Sequence, residues 1–226
     1  MDDIITGYHG KLPCRGDFTT RHLPPAFLQP WDDWLQRALS ASRRELGSAW
    51  LDAYLASPFW RFVLAPGVCD ARLWIGVMMP SVDRVERTFP LTVARPVRHD
   101  CSAIELALRN TDWYAAVEET MLAALHPELG LATLDRQLRE LPALSATRTA
   151  HAAVDSARLD MWLRNAHDAP LACWATTGSP RVPACRLACT GLPPARAYAD
   201  LLDGTWRDPA WTDLTTAHTS TEEYQT

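Results

Sequence analysis

Lysine is almost absent from this chain. Of 22 cationic side chains only Lys11 is a lysine, and the rest are arginine. Composition therefore gives no reason for a lysine at that position. Basic character is scarce too: 22 cations against 27 acids leave a net charge of −5, which argues against a nucleic-acid or anionic-membrane footprint. No apolar run is long enough to span a bilayer. The opening residues, Met1-Asp2-Asp3-Ile4, lack the basic and apolar regions of a signal peptide, so a cytoplasmic location is expected. The 6 cysteines form no Cys-x-x-Cys and accompany no histidine cluster of zinc spacing, so neither metal nor cofactor is expected. They read as reduced, buried thiols that pack as small apolar groups.

Catalytic signatures are also missing. There is no Gly-x-Ser-x-Gly elbow, no His-Glu-x-x-His and no dinucleotide glycine fingerprint. Gly7-Tyr8-His9-Gly10-Lys11 bears a passing likeness to a phosphate loop, but the spacing is wrong and no Ser or Thr follows the lysine. What is present is a chain of 226 residues, 47% hydrophobic and 22% charged. That suits one large soluble domain, or a domain with an appendage. Its 10 tryptophans are core anchors first and interface anchors second.

Local patterns set the element order. Tyr8 to Phe18 reads as a strand or tight hairpin interrupted by glycine. Pro24-Pro25 opens a helix, in which Trp31, Trp34, Leu35, Ala38, Leu39 and Ser42 recur at helical spacing until Gly47. A short helix over Trp50–Leu55 precedes Pro58. Three strand-like runs follow: 59–64, 72–79 and 89–95, the first two forming an antiparallel hairpin. Helices are expected over 113–125, capped by Thr111 or Asp112, over 131–141 and over 151–165. A β-hairpin over 171–176 and 184–190 places Cys185, Leu187 and Cys189 inward. A last helix over 195–202 ends at Asp203-Gly204, and residues from Thr212 onward read as a loose polar tail. Strands in one run and helices in another predict an α/β protein of the α+β type, with an antiparallel sheet flanked by helices. The divisions expected are a core over 1–142, a smaller C-terminal α/β extension over 143–211 and a tail over 212–226.

Two segments carry most of the remaining information. Gly10-Lys11-Leu12-Pro13-Cys14-Arg15-Gly16-Asp17-Phe18 is dense in residues with backbone meaning: either glycine allows positive φ or close approach, and Pro13 fixes its own φ. Ser81-Val82-Asp83-Arg84-Val85-Glu86-Arg87 is a charged link between strands. Lys11, Arg15, Asp17, Ser81, Asp83, Arg84 and Arg87 are the candidate site residues. Two readings stay open for them. They form a charged face that pairs with a partner, or they lock the loops, with Asp83 and Arg87 pairing Arg15 or Asp17 inside the protein. An alternative of another class is a hydrolase or phosphate-handling enzyme using Lys11, Asp17 and Asp83. A pocket joining those three groups would favour chemistry, and an open face would favour binding.

At these segments the chain resembles the TagF family, also called ImpM, associated with bacterial type VI secretion. The matching pieces are Gly10-Lys11-Leu12-Pro13 with Gly16-Asp17-Phe18, Leu23-Pro24, Trp31-Asp32 with Trp34-Leu35, and Ser57-Pro58 with Trp60-Arg61-Phe62. Trp74 with Gly76-Val77 follows, then Pro80-Ser81-Val82-Asp83-Arg84-Val85 and Arg87 with Phe89-Pro90-Leu91-Thr92. They occur in order over about the first 95 residues, and an ordered series is stronger warrant than fold analogy. One departure is Glu86, where glycine is expected. The resemblance implies a longin-like fold and a non-enzymatic regulator. It implies a post-translational repressor of secretion that acts on a forkhead-associated (Fha) scaffold protein.

Overall fold

The computed structural model describes residues 5–97, 110–144 and 170–215. The helix expected over 151–165 lies outside them. Eight strands form one sheet: β1 (Gly7–Gly10), β2 (Thr19–Arg21), β3 (Trp60–Leu64), β4 (Leu73–Met79), β5 (Leu91–Val97), β6 (Leu171–Thr176), β7 (Cys185–Thr190) and β8 (Thr212–Asp213). Their order across the sheet is β2-β1-β5-β4-β3-β6-β7-β8. Every pairing is antiparallel, as the α+β expectation requires. The described helices are α1 (Pro25–Leu46), α2 (Trp50–Leu55), α3 (Thr111–Ala123), α4 (Leu131–Arg139) and α5 (Tyr198–Asp203).

Alternation along the central strands explains why both faces of the sheet are covered. All seven residues of β4 are buried. Trp74 and Met78 join one core cluster with Phe27, Trp31 and Trp34 of α1. Leu73, Ile75, Val77 and Met79 join a second cluster with Trp113, Val117 and Met121 of α3. A period of two thus feeds two cores, one on each face. Gly76 sits between Trp74 and Met78 because nothing larger fits: a Cβ there would lie 2.2 Å from Phe62 Cζ.

Trp31, Trp34, Trp60 and Trp74 are all core residues, none more than 2% exposed. A buried indole N–H usually finds an acceptor. Trp31 donates to Thr92 Oγ1 (3.0 Å), Trp34 to the Pro193 carbonyl (2.7 Å) and Trp60 to the Leu201 carbonyl (3.0 Å). These bonds tie α1 to β5, and β3 and α1 to the C-terminal segment.

The structure adjusts three local expectations. Helix α3 starts after Asn110 rather than at a Thr111 or Asp112 cap. Thr212 and Asp213 are held as the short edge strand β8, whose partners are Leu187 and Ala188. The β6–β7 hairpin continues the main sheet, because Arg61–Leu64 of β3 pair with Ala172–Ala175 of β6.

Candidate functional site: a buried charge lock beneath two loops

The site lies where the segment from Lys11 to Phe18, which joins β1 to β2, meets the segment from Pro80 to Pro90, which joins β4 to β5. Strand β1 is the reason they meet. It pairs with β2 on one side and β5 on the other, so the connections leaving it and entering β5 emerge side by side. Gly10 is the hinge of the arrangement. Its φ is +142°, and a Cβ there would lie 2.2 Å from the Pro90 carbonyl oxygen. Only glycine lets β1 turn out of the sheet against that backbone. Gly16 meets neither condition: its φ is ordinary, and its nearest prospective contact is Arg84 Nη2 at 3.9 Å.

Lys11 and Asp83 are both buried and bond directly, Nζ to Oδ2 at 2.9 Å. Asp83 Oδ2 also accepts from Arg87 Nε (2.7 Å), while Oδ1 accepts from the Val85 and Arg87 backbone N–H groups (3.0 and 2.9 Å). Four donors thus converge on one carboxylate and use its acceptor capacity. Desolvation pushes this carboxyl upward, but the bonds from Lys11, from the Arg87 backbone and guanidinium, and from Val85 outweigh it. The net result holds Asp83 well below the usual carboxylate range, so it stays ionised.

Further bonds stitch the two loops together. Ser81 Oγ donates to the Lys11 carbonyl (2.7 Å), and the Arg84 N–H donates to the Arg15 carbonyl (2.9 Å). The Arg87 guanidinium donates to the Gly16 carbonyl. From the other side of the loop, the Tyr54 hydroxyl donates to the Ser81 carbonyl (2.9 Å) and accepts from the Ser81 N–H (3.0 Å). Burial pushes the Tyr54 phenol upward, which keeps the proton needed for that donation. The second loop ends in a turn closed by the Glu86 N–H on the Asp83 carbonyl (2.9 Å). Glu86 occupies the left-handed region, φ 63°, where glycine is the easy residue.

Burial divides the candidate residues in two. Lys11, Ser81 and Asp83 are inside; Arg15, Asp17, Arg84 and Arg87 are exposed. Of the pairings expected, Asp83 with Arg15 is replaced by Asp83 with Lys11 and Arg87, while Arg87 does approach Asp17. Arg15 has no side-chain partner among the described residues, and Asp17 reaches only Arg87, at 3.9 Å. Beside them Phe18 and Val85 are exposed by 51% and 59%. Phe18 stacks on His9 with ring centroids 5.7 Å apart. His9 in turn bonds Thr20 Oγ1 (2.8 Å) and Asp32 Oδ1 (3.0 Å).

The cleft that Asp17 lines does not take in Lys11 or Asp83. Its volume is about 440 Å³, and Arg15, Arg21 and Arg84 are among its other lining residues. No group of three or more His, Cys, Asp or Glu side chains that could hold a metal occurs among the described residues. Tyr54 and Arg21 were not foreseen as site residues. Tyr54 lies in a short amphipathic helix whose pattern reads simply as core, and Arg21 is one arginine among many.

Residues 7–141 match the family model described as TagF N-terminal domain, type VI secretion system-associated. The chain belongs to this family. It is also similar to the crystal structure of PA0076 from Pseudomonas aeruginosa PAO1, with 39% sequence identity and a TM-score of 0.76. That match covers 88% of this chain and 94% of the other. No curated protein matches the chain. The matched TagF region takes in both loops of the lock and the strands β1 and β5 that bring them together. Among the described residues of this TagF-family chain, no helix is long and apolar enough to cross a membrane.

Proposed function

We propose that this TagF-family protein is a non-enzymatic, cytoplasmic regulator of type VI secretion that restrains assembly by binding an Fha-type scaffold protein. The observation that supports it is the division of the two-loop motif by burial. Lys11, Ser81, Asp83 and Tyr54 spend their hydrogen-bonding capacity inside the protein. They hold the loops so that Arg15, Arg84, Arg87, Phe18 and Val85 face outward. An arginine-rich, partly aromatic and apolar rim fixed from beneath has the composition of a protein interface. Chemistry is poorly served by the same geometry, because the Asp83 carboxylate has no acceptor position left for a substrate proton. A binder of this kind represses by holding the free form of its partner more tightly than the assembled form.

The test is capture of the purified Fha protein by wild type and by an Arg84→Glu/Val85→Asp variant. Both positions are exposed, and circular dichroism of the variant beside wild type verifies that it is folded. Capture by wild type and loss in the variant is expected. Equal capture by both removes this rim from the interface, and no capture by wild type overturns the partner.

A further inference from the structure

Three arginines share the cleft beside the lock. Arg15 and Arg84 come from the two loops and Arg21 from the end of β2, and all three line one cavity of about 440 Å³. None of their guanidinium groups has a hydrogen bond or carboxylate partner among the described residues. This contrasts with Arg61, Arg72, Arg87, Arg196 and Arg207, each of which contacts a carboxylate. Among the described residues the only carboxylate lining the cleft is Asp17, whose side chain is fully exposed and 3.9 Å from Arg87. On a chain of net charge −5, this is a local concentration of positive charge that no described carboxylate answers.

The cleft is preformed. Arg84 donates its backbone N–H to the Arg15 carbonyl at 2.9 Å, so the two side chains spring from adjoining points. The lock of Lys11 on Asp83 fixes both loops. Arg21 is placed by β2 pairing, directly across from Tyr8. Thr19 and Thr20 line the cleft between them. Like charges held together repel, and an anion entering the cleft relieves that repulsion without reorganising the backbone. Guanidinium forks suit planar or tetrahedral oxyanions, which accept paired N–H bonds.

We infer that this cleft receives an oxyanion, a carboxylate or phosphate group, borne by the protein partner. The inference rests on the partner reading above and names the chemistry of that contact. Phe18, exposed at the rim, then covers the apolar part of the same partner segment.

The probe is inorganic pyrophosphate, titrated against the purified full chain and followed by arginine Nε–Hε resonances and by thermal unfolding. Wild type is expected to bind it. An Arg15→Gln/Arg21→Gln/Arg84→Gln variant is expected to lose affinity by about tenfold or more, since charge-assisted hydrogen bonds are the strong ones. A charge-matched Arg37→Gln/Arg44→Gln/Arg181→Gln control, at exposed positions elsewhere, is expected to behave as wild type. Absence of binding by wild type, or equal binding by both triple variants, overturns the site. Because this titration needs no partner, its failure is distinct from failure of the scaffold capture. Pyrophosphate that binds in the cleft and also releases captured scaffold supports a protein-borne oxyanion. Pyrophosphate that binds there and leaves capture unchanged refutes the protein-borne source.

Discussion

Replacing Gly10 by alanine tests the claim that this glycine, and not the second glycine of the motif, shapes the site. A Cβ at Gly10 would sit 2.2 Å from the Pro90 carbonyl oxygen and 2.8 Å from Leu91 Cα. Both are backbone atoms, so no side chain can swing aside. The φ of +142° is a second obstacle, in a region that is essentially reserved for glycine. The backbone strain costs about 1–3 kcal/mol, and forcing β1 and β5 apart to seat the methyl adds about 1–3 kcal/mol more. The total, about 2–6 kcal/mol, is a large share of the roughly 5–15 kcal/mol that holds a domain folded.

For a chain of this size each kcal/mol moves Tm by about 2–4 °C, so Gly10→Ala is expected to lower Tm by about 10 °C. The internal control is Gly16→Ala. Its Cβ would meet only Arg84 Nη2, at 3.9 Å, with ordinary φ, so its effect stays within about 0.5 kcal/mol. Thermal unfolding of the two purified variants beside wild type, read by circular dichroism, makes the comparison. Equal Tm for Gly10→Ala and wild type would refute the reasoning, as would a Gly16→Ala loss as large as that of Gly10→Ala.

Lys11→Met and Lys11→Arg are both expected to speed hydrogen exchange at the Arg84 N–H, which bonds the Arg15 carbonyl; protection equal to wild type in Lys11→Arg would show that the lock accepts any cation. The Asp83 pKa is depressed in the folded chain, so the unfolded chain takes up its proton first as pH falls. The stability this group supplies is therefore complete above the ordinary carboxylate range, near pH ~4, and drains away as pH falls through that range toward the lower folded value. Asp83→Asn is expected to flatten that acid limb in denaturant titrations at stepped pH, and an unchanged slope counts against the lock. Arg61 and Glu118 form a two-point ion pair, 2.6 and 2.9 Å, that joins β3 to α3; with both side chains 17% exposed, a double-mutant cycle to Leu and Gln is expected to give a coupling of about 1–2 kcal/mol. A coupling near zero would place the docking of α3 in its apolar contacts alone.

Features decided by nearest neighbours were legible in the sequence. Pro25 opens α1 and Gly47, at φ 52°, closes it. Helix α2 and strand β6 begin and end where the pattern placed them, and Cys185, Leu187 and Cys189 are buried on one face of β7. In each case a proline, a glycine or an alternation of side chains fixes the outcome within a few residues. Features decided by pairing over long separations were not legible. Nothing local says that β1 inserts beside β5, or that β6 runs along β3. Thr212 and Asp213 look like tail because their composition is polar; it is the open edge of β7 that holds them. The motif glycines show the same limit. Both read as candidates for close approach, and only the position of the Pro90 backbone separates them.

The single lysine makes the same point about the site. Sequence alone could mark Lys11 as anomalous, but its partner lies 72 residues away, and the choice between solvent and core depends on that partner. In the folded chain the choice is constrained by geometry. Asp83 Oδ2 must accept from Lys11 and Arg87 together, at 2.9 and 2.7 Å. Arg87 already brings a guanidinium to that oxygen, and the Asp83 side chain is fully buried. A compact ammonium on a flexible stem reaches the remaining direction, whereas a second planar fork would compete with the first for the same space. The exposed arginines face the opposite demand, since charge at the surface is most useful where it is weakly hydrated and bidentate. One lysine below and arginines above are therefore two solutions to two problems, the first of geometry and the second of recognition.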